Sequence, residues 1–146
     1  MVKLIDDNSL VDHIGVDLWR AATVWRERLH AEMVALGHDW YGDARGTIAA
    51  HLDPRGMSQS ALVSRMATTK QAVQQLLDGL EADGIIRREP DPEDGRGKRV
   101  IYTAKGLAAQ RDATRIKRKI ERDFEAKLGA RAFRELRASL RKLTEA

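Results

Sequence analysis

Residues Ile85 to Gly106 read I-I-R-R-E-P-D-P-E-D-G-R-G-K-R-V-I-Y-T-A-K-G, and this stretch decides the fold. Ile85 and Ile86 open one predicted strand, and Val100 and Tyr102 alternate in a second after Lys98 and Arg99. Between them Asp94-Gly95 is a strong hairpin-turn dipeptide. A small hairpin with an arginine at its tip, placed directly behind a helix that Gly84 ends, has few common uses. The best is a wing lying against nucleic acid, with Arg96 entering a minor groove and the glycines letting the backbone approach phosphates.

The residues before the hairpin point the same way. Ser58 is a good N-cap for a helix running to Met66, and Met57 and Leu62 occupy the two positions of a hydrophobic staple. After a break at Ala67-Thr68, Thr69 is placed to cap a second helix, whose Val73, Leu76, Leu77 and Leu80 fall at i, i+3, i+4 and i+7. Two short helices joined by a tight turn make a helix-turn-helix, whose second helix enters the major groove. Opposite its apolar stripe stand Lys70, Gln71, Gln74, Gln75 and Asp78. Glutamine can pair bidentately with adenine, so Gln71, Gln74 and Gln75 are candidate base readers and Lys70 a companion cation.

Ser58 to Gly106 resembles the winged helix-turn-helix core of the MarR (multiple antibiotic resistance regulator) family. The most specific piece is a D-x-R…T-x-x-G pattern carried by Asp94, Arg96, Thr103 and Gly106. Tyr102 stands where that family usually has leucine, and Ala67 where a glycine often ends the first motif helix. The resemblance implies one domain over residues 1–146, mainly α with a small β-hairpin wing. It has a DNA-binding core at about 43–106 and dimerisation helices at 9–37 and 104–146. It also implies a homodimer on a pseudo-palindromic operator in double-stranded DNA, and an effector that is often an aromatic acid or phenol. Ser58, Thr69, Lys70, Gln71, Gln74, Gln75, Asp94, Arg96, Lys98 and Arg99 are the expected DNA-binding residues, with Asp94 holding Arg96.

The flanks carry helical stripes of their own. Ile14, Leu18, Ala22, Trp25 and Leu29 share a face of a helix expected from Ser9 or Asp12 to about Leu36, closed by Gly37. A shorter helix is expected from about Asp43 to Leu52. Behind the wing, Ala109, Ala113, Ile116, Ile120 and Phe124 form a stripe ending at Gly129, and Phe133, Leu136, Leu140 and Leu143 repeat it on a last helix. Trp19, Arg26 and His30 lie along one edge of the first helix. That edge reads either as a pocket wall for a small aromatic ligand or as interface packing with ordinary solvent contact.

Composition narrows the classes. The 146 residues carry a net charge of +4, unevenly spread. Residues 1–56 have 6 Lys+Arg against 9 Asp+Glu (−3), residues 57–106 have 8 against 7 (+1), and residues 107–146 have 12 against 6 (+6). The C-terminal excess reads either as pairing with the acidic first third or as a wider phosphate-facing surface from Arg115, Lys117, Arg118 and Lys119. With no cysteine there is no disulfide, thiolate metal site or thiol sensor. No apolar run reaches membrane-span length and no signal-peptide pattern opens the chain, so the expectation is cytoplasmic, without membrane contact.

No H-E-x-x-H, G-x-S-x-G or phosphate-loop pattern is present, so neither an enzyme nor a cofactor or metal site is expected. The weaker competitor is a metal site from His30, His38 and His51 with Glu32 or Asp39. The sequence therefore predicts a dimeric, sequence-specific DNA-binding regulator, a ligand-responsive repressor. Its alternatives are a winged-helix protein-interaction module and a small metal-dependent protein.

Overall fold

A computed structural model describes residues 12–145. Helix α1 (Ile14–Ala35) runs first; Ser9, the earlier of its two expected starts, lies outside the described residues. Only Leu29 and Met33 of α1 are buried, while Ile14, Leu18 and Trp25 stay exposed. The helix expected from about Asp43 to Leu52 is shortened to α2 (Gly46–His51), and a 3₁₀ turn (Asp39–Gly42) precedes it. The reason is local. Asp43 is extended and its carboxylate accepts hydrogen bonds from the Arg45 backbone N at 2.8 Å and from the Arg45 guanidinium, offering the backbone an alternative to helix. The 3₁₀ turn in exchange carries Trp40 and Tyr41 into the core.

The reading head follows. Strand β1 (Met57–Ser58) leads into α3 (Gln59–Arg65), where Ser58 Oγ accepts from Ala61 N at 3.2 Å, and the staple residues Met57 and Leu62 are both buried. Helix α4 (Lys70–Ala82) is capped by Thr69, whose hydroxyl accepts from Ala72 N at 3.1 Å. Its Val73, Leu77 and Leu80 are fully buried and Leu76 partly so. Each full burial is worth roughly 1.5–3 kcal/mol, so three anchors fix which face of α4 looks outward. Gly84 then adopts φ +74, the left-handed conformation that lets the chain leave the helix without a Cβ penalty.

Strands β2 (Ile86–Asp91) and β3 (Asp94–Tyr102) form the wing, and β1 adds to β3, giving the antiparallel order β1-β3-β2. Two expectations are corrected here. The first strand begins at Ile86, with Ile85 buried just before it. The tight turn is Pro92-Glu93, not Asp94-Gly95: Asp91 faces Asp94, while Pro90 faces Lys98, so Gly95, Arg96 and Gly97 bulge out of β3. Proline pre-sets the turn dihedral at Pro92, and the Asp91 carboxylate accepts from Glu93 N at 3.0 Å. Gly95 has no positive φ, which the expected turn would have required.

Helix α5 (Ala104–Leu128) returns across the molecule and α6 (Ala130–Thr144) follows Gly129. Ala109, Ala113, Ile116 and Ile120 bury one face of α5 in the single core cluster that also holds Leu29, Met33 and the reading head's apolar residues. Three polar pairs tie α5 to the first segment: Lys119 to Glu32 at 2.6 Å, His38 Nε2 to Asp112 at 2.8 Å, and Arg28 to Asp123. Charge pairing between the termini is thus partial, and Arg28–Asp123 has the opposite polarity to the one that composition implied. No residue of α6 is buried. With the exposed face of α1 it lines an open apolar cavity of about 930 Å³, walled by Ile14, Leu18, Trp25, Phe124, Leu136 and Leu140.

Candidate nucleic-acid interface

The start of α3, the outer face of α4 and the wing enclose a groove of about 670 Å³. Ser58, Lys70, Gln74, Asp94, Arg96 and Lys98 all line it. Periodicity explains the convergence. Lys70 and Gln74 are one turn apart on a flank of α4 beside its buried anchors, the flank turned toward the wing, and Lys98 shares a strand face with Val100 and Tyr102, which pack on the core. Among the described residues Lys70, Arg96 and Lys98 have no carboxylate within ion-pair distance, so three cations line the groove without a salt-bridge partner. Asp78, Asp91 and Asp94 also line it, so the groove is mixed in charge, with Asp78 engaged by Arg88.

Other expected residues stand differently. Gln71 and Gln75 are exposed on α4 but do not line the groove. Thr69 spends its hydroxyl on the cap. Arg99 alternates to the opposite face of β3, where its Nη2 donates to the Arg55 carbonyl at 3.1 Å and pins the loop before β1. Asp94 holds Arg96 through the main chain: its Oδ1 accepts from Arg96 N at 3.1 Å, fixing the bulge and leaving the guanidinium free.

Arg88, on β2, is an internal clamp. Its side chain is mostly covered, its guanidinium pairs with Asp78 and with Glu81 at 3.1 Å, and its backbone N donates to Glu81 at 2.9 Å. The hydrogen bond to Glu81 holds the arginine charged more firmly than usual, and the same bond pulls the Glu81 carboxyl below its ordinary range. Strand β2 is thereby fastened to α4, which sets the distance between wing and helix. Sequence reading missed this pair, since nothing local links a helix carboxylate to an arginine seven residues on across a turn. It also missed Gln59, Ser60 and Ser64, which complete the groove wall on α3. Their polar spacing opposite Leu62 and Met66 was the available signal.

The second candidate site is not assembled as a pocket. Trp19 is 66% exposed. His30 packs edge-on against Tyr41, with ring centroids 5.9 Å apart at 78°. Burial pushes the His30 imidazole toward its neutral form, and the Arg26 charge adds to this. The apolar cavity beside α1 is lined from a neighbouring face of that helix and includes none of the three. The histidines are also dispersed, with His38 on Asp112 and the His51 carbonyl accepting from Arg65 at 3.1 Å. Among the described residues no group of three or more His, Asp or Glu side chains gathers at metal-binding distance.

A capped helix pair, a bulged two-stranded wing and a groove of mixed charge between them define a winged helix-turn-helix protein. Residues 45–97 match the family model described as MarR family. The chain is similar to the transcriptional regulator HosA of Escherichia coli O111:H-, 33% identical over 76 residues, which are 52% of this chain and 56% of that relative. It thus spans little more than half the length of the curated relative it matches. Among solved structures it is similar to the Mycobacterium tuberculosis MarR family protein Rv2887 in complex with p-aminosalicylic acid, at TM-score 0.66 and 26% identity over 91% of this chain and 99% of that one. An E. coli MarR variant complexed with operator DNA shares the fold, at TM-score 0.70 and 20% identity over 90% and 94% of the two chains. The MarR family match thus covers the helix-turn-helix and wing, residues 45–97, and the chain as a whole shares the fold of these MarR structures.

Proposed function

We propose that this protein is a dimeric, sequence-specific regulator of transcription that binds duplex DNA through the groove between α4 and the wing and represses until a small aromatic acid releases it. The observation that carries the reading is the placement of three unpaired cations, Lys70, Arg96 and Lys98, around Gln74 on one side of the molecule. In this reading Gln74, with Gln71 and Gln75 beside it, reads base edges in the major groove. Arg96 at the bulged wing tip enters the adjacent minor groove, where narrow A/T-rich sequence concentrates negative potential. The apolar face shared by α1, α5 and α6 supports a two-fold dimer, so the operator is an approximate inverted repeat. No described helix is long and apolar enough to cross a membrane.

A relative determined with p-aminosalicylic acid supports the effector class. In this chain Arg26 supplies the cation and Trp19 the aromatic surface for such a ligand, with a second subunit closing the open edge. The ligand acts only through its different affinity for two arrangements of the reading heads.

Selection of bound duplexes from random DNA, followed by titration at several salt concentrations, tests the assignment. Gln74→Ala should relax preference at one base pair per half-site, by roughly 1–3 kcal/mol. Arg96→Ala should weaken binding at the outer A/T-rich edges and lower the salt slope by about 0.9 for each phosphate no longer neutralised. Enrichment of no sequence, or two variants indistinguishable from the parent, would remove the groove from DNA recognition.

A further inference from the structure

Two buried side-chain atoms of groove-lining residues have no partner among the described residues, Arg88 Nε in the clamp already described and Gln59 Oε1. Gln59, the first residue of α3, lines the groove, yet its carboxamide oxygen Oε1 is buried and accepts no hydrogen bond among the described residues. The serine hydroxyls of α3 do not reach it: Ser64 Oγ donates to the Ser60 carbonyl at 3.0 Å, and Ser58 Oγ accepts from Ala61 N and lies 3.5 Å from Ser60 Oγ. Met57 pairs with Val100 and Ser58 with Arg99, so Gln59 leaves β1 as the first residue of α3 directly beside the base of the wing. A buried acceptor left empty lowers stability, and a native structure that keeps one calls for an explanation.

The chemistry of the missing partner is restrictive. Phosphate oxygens only accept, so they cannot satisfy Oε1. In the major groove of duplex DNA the donors are the exocyclic amines, adenine N6 and cytosine N4. Adenine also offers N7 to the amide end of the same glutamine, so it alone uses both ends of the side chain. We propose that Gln59 is a further specificity-determining residue, which turns from the groove wall on binding and reads an adenine. This inference rests on the groove being a DNA site. It adds a reading position on α3 that is separate from those on α4, and it assigns the unpartnered oxygen as a cost of the free state that DNA relieves.

Gln59→Met keeps length and removes the orphan acceptor. The free variant should unfold about 3 °C higher than the parent. In selections from random duplexes it should lose preference for one adenine per half-site, by about 5- to 10-fold. Replacing that adenine by purine, which lacks the N6 amine, should weaken the parent by a similar factor and leave Gln59→Met unchanged. If the parent enriches a sequence and Gln59→Met enriches the same one to the same degree, the inference fails while the DNA reading stands. A uniform loss of affinity with a shallower salt slope would make Gln59 a backbone contact and overturn it equally, as would a lower melting temperature with unchanged preference. Should the parent enrich nothing, both readings fall together.

Discussion

Thr103 and Gly106 show why single residues matter at the base of the wing. Thr103 Oγ1 caps α5 by accepting from Gly106 N at 3.2 Å and donates back to the carbonyls of Gly84 and Ile85, so one hydroxyl joins α5 to the exit of α4. Gly106 sits so close beneath that junction that an added Cβ would stand 2.2 Å from the Ile85 carbonyl oxygen. Backbone cannot yield as a side chain does. Gly106→Ala should therefore cost about 3 kcal/mol or more in urea unfolding. Gly95 is the contrast: it has open space around it and no left-handed φ. Gly95→Ala should leave stability within about 0.5 kcal/mol, and a large loss there would contradict the bulge geometry. Tyr102, the departure from leucine, is accommodated because its ring is buried and its hydroxyl accepts from Gln110 Nε2 at 3.0 Å.

Among elements, the link between α1 and α5 carries its own pH dependence. Asp112 is held below the ordinary carboxylate range by its hydrogen bond from His38, and Asp123 by its hydrogen bond from Arg28. Carboxyls lowered in the folded state contribute stability that is present above their usual value, near 3.8, and lost as pH falls through the lowered folded values. The stability gap between the parent and an Asp112→Asn, Asp123→Asn double variant should therefore be steady above about pH 5 and close below 3.8. Urea midpoints across that range measure it. A gap that ignores pH would mean that these residues act through packing alone.

Legibility from sequence divides along the same lines. Caps at Ser58 and Thr69, the α4 stripe and the stop at Gly84 were readable because each obeys a rule spanning a few residues. Strand β1 was not, for its two residues pair with Val100 and Arg99 far along the chain. The turn was misplaced because Asp-Gly statistics favour a tight reversal, whereas Pro92 and the Asp91 carboxylate fix it two residues earlier. Arg99 was assigned to DNA because a charge list cannot show which arginines already have partners in the fold.

At the scale of the whole molecule, the unfinished surface is the one on α1, α5 and α6. Helix α6 has an apolar stripe yet no buried residue, and Leu136, Leu140 and Leu143 remain 45%, 38% and 65% exposed beside Ile14 and Trp25. Apolar faces of this extent on a single chain are normally covered, and a second copy supplies a matching face by symmetry. Ile120 cannot test this, because it is fully buried within the monomer and a charge there would unfold the core. Leu136 and Leu140 can. Leu136→Glu with Leu140→Glu should leave the helical circular dichroism and the urea midpoint of the reading head nearly unchanged while shifting sedimentation from dimer to monomer. Operator affinity should fall with it, since two linked half-sites bind 10²–10⁴-fold better than one at typical effective concentrations, an order-of-magnitude expectation. A parent chain that sediments as a folded monomer at high concentration, or a double variant that keeps both dimer and affinity, would show that this face has another occupant and that the half-sites are joined elsewhere.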